Sequence, residues 1–292
     1  MDVSVLCVPY DSGQRGMRMG AGPLRLLDLG LAADLQHAGH RVSITEVTLP
    51  RGLPEIAAAF TLAREVADAV RAAAARGDFP LVLSGNCNSC LGTVTGLRVL
   101  RSDESADLGV LWCDAHADFN TPETTISGFL DGMALATLVG DCWAPLAASI
   151  RGFQAQPTES VVLYGSRALD ARERDRLDER GILVIEAGAE PPIFRAMAEE
   201  RWRAVDGLYV HVDLDVLDPS AGRANAFAAP GGASLSELLG RLTEASALRP
   251  IRAAALTAYD PAADEDGRAG DAARTVVAHV VALAARAGRS AT

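Results

Sequence analysis

The stretch LGVLWCDAHADFN, residues 108–120, carries the strongest pattern in the chain. Its apolar first half is typical of a buried strand, and it leads directly into Asp114, His116 and Asp118. Side chains at every second position of an extended segment point to one face, so these three converge at a strand end. Because unpaired buried charge is costly, we interpret the cluster as a metal site, with a solvated polar loop as the alternative.

A second stretch of this kind, YVHVDLDVLDPS, covers residues 209–220. Asp213 and Asp215 share a face directly after an apolar strand, and His211 lies one step deeper on the same face. Two such strand ends in one chain indicate a binuclear site with a carboxylate bridging two ions. The oxygen-rich donor set favours a hard divalent cation such as Mn²⁺. We expect His211 to support the ligands rather than to bind the metal.

Apolar runs alternate with helical patterns outward from these two stretches. The runs occupy residues 3–10, 41–47, 80–85, 108–116, 160–166, 182–187, 207–216 and 251–259. Helical patterns cover roughly residues 23–38 and 53–76, and another extends to about residue 100. This alternation predicts an α/β fold with a mainly parallel sheet of about eight strands, covered on both faces. Without a linker or a break in composition, residues 1–292 are expected to form a single domain.

The composition excludes several classes of function. The chain of 292 residues has a net charge of -11, and an acidic surface disfavours nucleic-acid binding. All 27 basic residues are arginine, so Schiff-base and phosphate-loop chemistries, which need lysine, are excluded. The sequence shows no apolar run that would span a bilayer and no signal-peptide pattern. Five cysteines do not make a disulfide scaffold in a chain of this length, and we expect a cytoplasmic protein with no membrane partner.

The two aspartate stretches resemble the metal motifs of the arginase/agmatinase ureohydrolase family. The resembling segments are DAHADFNTPETTISGFLDGM at 114–133 and VDLDVLDPS at 212–220. PYDSGQRGMRMGAGPLRLL resembles the family's first strand and glycine-rich loop, GNCNSCLGTVTGL stands at its GGDHS motif, and ALTAYDP stands at its last active-site strand. The resemblance implies a three-layer α/β/α sandwich that assembles as a homo-oligomer, a trimer or a hexamer.

The resemblance also implies a ligand set for two divalent ions, with Mn²⁺ typical of the family. Asp114 and Asp213 would bridge the two ions. His116 and Asp215 would complete the coordination of one ion, and Asp118 would bind the other. Each of these positions retains the family residue.

Three positions depart from the family pattern. Cys87 stands where the family has its remaining ligand, a histidine; a thiolate there would shift the preference toward zinc or iron. The alternatives are an ordinary buried thiol with a weakly held ion, or an oxygen ligand from Asn88. Asp131 replaces a histidine that assists proton transfer, and it either takes over that role or is a simple loop aspartate. Ala258 replaces the guanidinium-binding glutamate, which favours a less basic or N-substituted group over plain arginine.

The substrate-binding segments follow the arginase branch of the family more closely. Asn120, Thr125 and Ser127 match residues that bind the substrate α-carboxylate in arginases. Asp170 and Glu173 match the acids that receive the α-amino group. Acids in the first turn of a helix are favourable in any protein, so these two residues are equally consistent with a structural role.

The site and the resemblance together predict a binuclear metallohydrolase. Two cations lower the pKa of a shared water, and the resulting hydroxide would attack the carbon of a guanidino group. We expect Asp118 to take the proton and pass it to the leaving amine, with Asp131 assisting. The expected substrate is a small L-amino acid such as N-hydroxyarginine, then arginine, giving an ornithine-like product and urea or a substituted urea. The alternatives are an amidino, formimino or amide hydrolase, and a non-catalytic binding or regulatory subunit.

Overall fold

The computed structural model describes residues 1–98 and 107–290, and these form an eight-stranded parallel sheet. The strands are β1 (Asp2–Val8), β2 (Arg41–Glu46), β3 (Phe79–Ser84), β4 (Asp107–Cys113), β5 (Val161–Tyr164), β6 (Leu183–Ile185), β7 (Val205–Asp213) and β8 (Ile251–Thr257). Their order across the sheet is β2-β1-β3-β8-β7-β4-β5-β6, and every neighbouring pair is parallel. The predicted α/β fold is confirmed.

Helices cover both faces of the sheet. They are α1 (Gly22–Asp28), α2 (Leu31–His37), α3 (Glu55–Ala75), α4 (Ser89–Arg98), α5 (Ala134–Leu138), α6 (Ala144–Ala147), α7 (Ala171–Glu179), α8 (Pro191–Arg201), α9 (Leu235–Leu248) and α10 (Arg268–Ser290). Helices α1, α2 and α8–α10 pack with one apolar core, and α3–α7 pack with the other. Alternate residues of a strand enter opposite cores: Val3 and Val5 of β1 enter the first, and Leu6 and Val8 enter the second. The three-layer α/β/α architecture is confirmed.

Two helices differ from the expectation in their limits. The helix predicted over residues 23–38 is two helices, because Gly30 at their junction has a φ of 92°. Such a left-handed residue interrupts a right-handed helix, and glycine adopts it without steric cost. Helix α4 is described to Arg98, so its predicted end near residue 100 lies outside the described residues.

The sheet order brings the chemically unusual segments to one edge. Strands β3, β8, β7 and β4 are neighbours at the centre of the sheet, and parallel strands all end on the same side. The residues that follow them therefore meet, although some of them, such as Cys87 and Asp213, are 126 positions apart in sequence. No helix within the described ranges combines the length and apolar character that a membrane span needs.

Candidate metal centre

One group of metal-binding side chains lies where β4 and β7 end. Nδ1 of His116 lies 3.4 Å from a carboxylate oxygen of Asp114 and 3.4 Å from one of Asp215. The donor atoms of these three residues all lie within 4.8 Å of one another. An imidazole nitrogen with two carboxylate oxygens at this spacing could coordinate one divalent ion.

A second group shares a member with the first. Donor atoms of Cys87, Asp114 and Asp118 also lie within 4.8 Å of one another. Asp213 belongs to neither group, but the Cys87 thiol donates a hydrogen bond to Asp213 Oδ2 at 3.3 Å. The structure thus brings all six predicted ligands together, and Asp114 occupies the shared position that a bridging ligand requires.

Local hydrogen bonds fix the orientation of these carboxylates. Asp114 accepts from the indole N–H of Trp112 at 3.0 Å and from the backbone N–H of His116 at 2.8 Å. Asp213 accepts from the backbone N–H of Asp215 at 2.9 Å. Asp118 has a φ of 50°, in the left-handed region that aspartate tolerates better than most residues. The turns after β4 and β7 therefore aim the acids at one another instead of at solvent.

The electrostatics of the cluster call for a cation. Burial, and then repulsion from neighbouring acids, raises the pKa of Asp118 and Asp213 well above the usual range. The same causes raise the pKa of Asp114 to about 6. Within the described part of the chain, Asp118 Oδ2 is buried without a hydrogen-bond partner. An orphaned carboxylate oxygen among mutually repelling acids fits a binuclear centre that divalent ions would neutralise.

His116 carries positive charge within the cluster itself. Burial alone would lower its pKa, but hydrogen bonds and charge interactions with Asp114 and Asp215 raise that pKa to about 12. The same contact lowers the pKa of Asp215 to about 2 in spite of its burial. An imidazolium thus stands where a cation is favourable. An ion bound by Nδ1 would replace that proton.

Asp131 is held beside Cys87 by amide groups. It accepts from the backbone N–H of Asn88 at 3.0 Å, from Asn88 Nδ2 at 2.9 Å and from Asn86 Nδ2 at 2.9 Å. Asn88 thus turns its side-chain nitrogen toward Asp131. Burial raises the pKa of Asp131 to about 7, although these donors act in the opposite direction. A carboxyl group with a pKa in this range is suited to proton transfer near neutral pH.

A cavity of about 310 Å³ opens above the acids. Its walls include the five residues predicted to bind substrate, which are Asn120, Thr125, Ser127, Asp170 and Glu173. The hydroxyl oxygens of Thr125 and Ser127 accept from backbone N–H groups of their own loop, at 3.0 and 3.2 Å. Their O–H groups remain to donate, which is what recognition of a carboxylate needs.

Asp170 and Glu173 have the structural role that the sequence allowed, and they also line the cavity. Together they form a capping box at the start of α7, and the backbone N–H of Asp170 donates to Glu173 at 3.3 Å. Glu173 also accepts from the backbone N–H of Phe119 at 2.8 Å, and Asp170 accepts from Asn120 at 3.1 Å. Both acids line the cavity as well, so their structural role does not exclude the predicted contact with a substrate.

His211 lies behind the acids on β7. It is fully buried, and burial lowers its pKa to about 3, so the imidazole is neutral. Its ring stacks on Trp112 with centroids 3.7 Å apart, and Nδ1 lies 2.8 Å from the hydroxyl of Tyr209. The ring therefore packs against the residue that holds Asp114, consistent with the expected supporting position.

Two residues that organise the site, Arg167 and Asn225, were not predicted from the sequence. The Arg167 guanidinium donates to backbone carbonyls of two loops, including those of Asp215 at 3.0 Å and Ala229 at 2.6 Å. Asn225 donates to Asp215 at 3.2 Å and to the carbonyl of Ala258 at 2.9 Å. Neither residue belongs to a periodic pattern, and only the arrangement of the loops gives them a partner.

The cavity mouth carries a pair of aromatic rings that the sequence did not indicate either. Phe129 and Phe227 both line the cavity, and their rings stack with centroids 5.8 Å apart. Phe227 is 49% exposed, so this pair forms an apolar rim at the solvent side. The aliphatic part of a small substrate would contact this rim while its polar ends reach the walls.

Comparison with known proteins identifies the family. A sequence profile of the arginase family matches residues 1–283. Arginase from Bacillus caldovelox is 33% identical over 235 residues, which cover 75% of this chain and 77% of that protein. Arginase from Brucella suis is 28% identical over an alignment of 319 positions, which covers 99% of this chain and 97% of that protein. The structure of arginase from Bacillus subtilis superposes with a TM-score of 0.86 at 26% identity, covering 96% of this chain and 98% of that one. Proclavaminate amidino hydrolase from Streptomyces clavuligerus shares the fold, with a TM-score of 0.73 at 18% identity and coverage of 98% and 92%. The chain belongs to the arginase family.

Proposed function

We propose that this protein is a binuclear metallohydrolase that cleaves a C–N bond of a guanidino group on a small L-amino acid, with N-hydroxyarginine preferred over arginine. Its family supports the broad class, a hydrolase acting on C–N bonds in linear amidines. The observation that carries the proposal is the pair of donor groups that share the buried Asp114 and whose other members, Cys87, His116, Asp118 and Asp215, line a cavity of about 310 Å³.

Six residues of this chain would hold the two ions, which are Cys87, Asp114, His116, Asp118, Asp213 and Asp215. Mn²⁺ suits the carboxylate-rich set, and the thiol of Cys87 makes zinc or iron the next candidates. Bound in this way, such ions would supply activation of water at neutral pH and stabilisation of negative charge. The protein contributes the geometry, because every one of the six side chains is fixed at the end of a strand or in the turn that follows.

Proton transfer falls to the acids on the cavity wall. Asp118 lines the cavity, and its Oδ2 has no competing hydrogen bond within the described residues, so it is placed to accept a proton from water. It can then return the proton to the departing amine. Asp131 lines the same cavity and is held by the amides of Asn86 and Asn88, which places a second carboxyl group within reach of the reaction.

Substrate recognition falls to two adjoining sets of side chains on the cavity wall, which are linked by the hydrogen bond that Asn120 donates to Asp170 at 3.1 Å. Asn120, Thr125 and Ser127 offer donors to an α-carboxylate, while Asp170 and Glu173 offer acceptors to an α-ammonium group. These features support an L-amino acid as the substrate. They lie on the cavity wall next to the metal-binding residues and leave room for a side chain to reach the acids.

The cavity wall at Ala258 supports a substrate whose reacting group is less basic than the guanidinium of arginine. Ala258 lines the cavity where the family resemblance places a glutamate, and its carbonyl is already bonded to Asn225. Loss of one partner from a buried ion pair costs about 3–5 kcal/mol. An N-hydroxy substituent lowers the basicity of a guanidino group and so reduces this cost. The same substitution at Ala258 favours the second candidate, an amidino, formimino or amide hydrolase.

A substrate panel tests the proposal. The Mn²⁺-loaded protein is incubated separately with N-hydroxyarginine, arginine and a formimino amino acid, and ornithine, hydroxyurea, urea, formamide and the amino acid freed from the formimino compound are quantified. We expect ornithine and hydroxyurea from N-hydroxyarginine, with a kcat/KM at least about a hundredfold above that for arginine, as the missing ion-pair partner implies. Equal or faster turnover of arginine would contradict the proposed preference. Turnover of the formimino compound alone would replace the proposal with the second candidate.

A further inference from the structure

A buried chain of hydrogen bonds leads through the sheet to the sulfur of Cys87. The hydroxyl of Tyr209 lies 2.8 Å from His211 Nδ1, and His211 Nε2 lies 3.3 Å from Thr257 Oγ1. Thr257 Oγ1 then lies 3.2 Å from Cys87 Sγ. All four side chains are buried. The proposed reaction uses only the last of them, which leaves three buried polar side chains in need of an explanation.

The sheet explains why these groups line up. Tyr209, His211 and Asp213 are alternate residues of β7, so their side chains lie on one face. Thr257 pairs with Asp213 at the end of β8, the strand that separates β7 from β3 and from the Cys87 loop that follows it. This series of hydrogen bonds therefore follows β7 and crosses β8 to reach the proposed metal-binding residues.

Trp112 fixes the orientation of the imidazole within this chain. It is the direct neighbour of His211 across the β4–β7 pair, and the two rings stack with an interplanar angle of 12°. The indole N–H of Trp112 is itself bonded to Asp114 at 3.0 Å. This stack fixes the plane of the His211 ring, and the contacts with Tyr209 and Thr257 fix which edge of the ring each nitrogen occupies.

The direction of the hydrogen bonds depends on Cys87. A neutral imidazole donates from one nitrogen and accepts at the other, and a hydroxyl group can do both, so the chain can point either way. In the present arrangement the Cys87 thiol donates to Asp213. A thiolate bound to a cation can only accept. Thr257 Oγ1 lies 3.4 Å from the Val212 carbonyl oxygen and nearer, at 3.2 Å, to Sγ, so a thiolate offers its hydroxyl the closer acceptor. The hydrogen bonds then point toward the sulfur: Tyr209 donates to Nδ1, Nε2–H donates to Thr257, and Thr257 donates to Sγ.

We propose that Tyr209, His211 and Thr257 are positioning residues that hold the Cys87 sulfur as a metal ligand by directing a hydrogen bond onto it. The inference rests on the proposed metal site. A histidine ligand is normally oriented by a partner bonded to its second ring nitrogen, and such partners are worth about 10–100-fold in metal affinity. A cysteine side chain has no polar atom other than its sulfur, so a hydrogen-bond donor to the sulfur itself must supply that orientation.

Cobalt gives a direct readout of the sulfur, because a thiolate bound to Co²⁺ produces a ligand-to-metal charge-transfer band in the near ultraviolet. Co²⁺ is titrated into the metal-free full-length protein, into Thr257→Val, which removes the hydroxyl at nearly constant volume, and into Thr257→Ser, which keeps it. We expect Thr257→Val to move the band to longer wavelength and to weaken Co²⁺ binding by about 10–100-fold. Thr257→Ser should stay close to the unmodified protein.

Tyr209→Phe provides a second variant farther from the metal. Without the Tyr209 hydroxyl, His211 Nδ1 loses its donor and the imidazole can adopt the other tautomer, so Thr257 is no longer directed at the sulfur. We expect a shift of the band in the same direction as for Thr257→Val, but smaller. This variant decides the question if Thr257→Val does not fold.

Each remaining outcome overturns a defined part of the account. An unchanged band and unchanged affinity in Thr257→Val, or in Tyr209→Phe where the first does not fold, would overturn the positioning role. Two bound Co²⁺ ions without a charge-transfer band in the unmodified protein would show that the sulfur is not a ligand. The positioning role of Tyr209, His211 and Thr257 would then be wrong, while the proposed metal site would stand. Failure to bind Co²⁺ at all would overturn the proposed metal site and, with it, the positioning role of the three residues.

Discussion

Replacement of Asp118 by asparagine should have opposite effects on the metal-free and the metal-bound protein. Asp118 is 7% exposed, and its Oδ2 has no hydrogen-bond partner within the described residues. Burial and the neighbouring Asp114 and Asp131 raise its pKa well above the usual range. In the absence of a cation this carboxyl group therefore destabilises the fold. Asparagine has nearly the same shape, tolerates the φ of 50° and carries no charge.

The size of both effects follows from the contacts. Either ionising or protonating this carboxyl group beside Asp114 and Asp131 costs free energy that a neutral amide avoids, so Asp118→Asn should raise the free energy of unfolding of the metal-free protein by about 1–3 kcal/mol. Free metal at about a hundred times its Kd stabilises a binding protein by about 2.7 kcal/mol. The variant replaces an anionic ligand by a neutral one and should lose most of this gain.

Urea unfolding in EDTA and in Mn²⁺ measures both effects on the same samples. Asp141→Asn is the matched control, since the buried Asp141 carboxylate has two partners, Arg176 and Arg180, each at 2.7 Å. That variant should lose stability equally in both conditions. A variant Asp118→Asn that is less stable than the unmodified protein in EDTA would show that this carboxyl group does not destabilise the metal-free fold. Stabilisation of the variant by Mn²⁺ as strong as that of the unmodified protein would show that Asp118 is not a metal ligand.

Three further substitutions test separate parts of the site. Cys87→His should raise the Mn²⁺ affinity measured by calorimetry, because imidazole is the usual ligand; a lower affinity would mark Cys87 as a specialised ligand. Asp213→Ala should abolish turnover and lower the metal content, and an active, fully metallated variant would contradict a bridging role. Ala258→Glu should restore a guanidinium partner and recover part of the about 3–5 kcal/mol lost for arginine; kcat/KM for arginine should then rise against N-hydroxyarginine, and no change would show that Ala258 does not set the preference.

The strands and the acids at their ends could be predicted because both depend on local pattern. Asp114, His116 and Asp118 follow an apolar run at alternate positions, and the structure keeps them at the end of β4. Eight apolar runs separated by helical segments were sufficient for the α/β class. The break at Gly30 was missed because the apolar periodicity continues across it, while its left-handed backbone becomes visible only in the fold.

The residues that hold the acids in place could not be predicted, because their partners are distant in sequence. Asp131 receives amide donors from Asn86 and Asn88, some 45 residues earlier in the chain. Arg167 is defined by carbonyls that the sheet order brings beside it, and Asn225 by its contact with Asp215 and Ala258. Such residues belong to no periodic pattern and to no motif. Their role becomes visible only when the fold shows which backbone and side-chain groups surround them.

If the carboxylates at these strand ends hold two metal ions, the purified protein must bind two ions per chain. Elemental analysis of the purified protein, before and after loading with Mn²⁺, is combined with the melting temperature of each sample. We expect close to two Mn²⁺ per chain and a higher melting temperature after loading. Less than about one ion per chain with an unchanged melting temperature would contradict it.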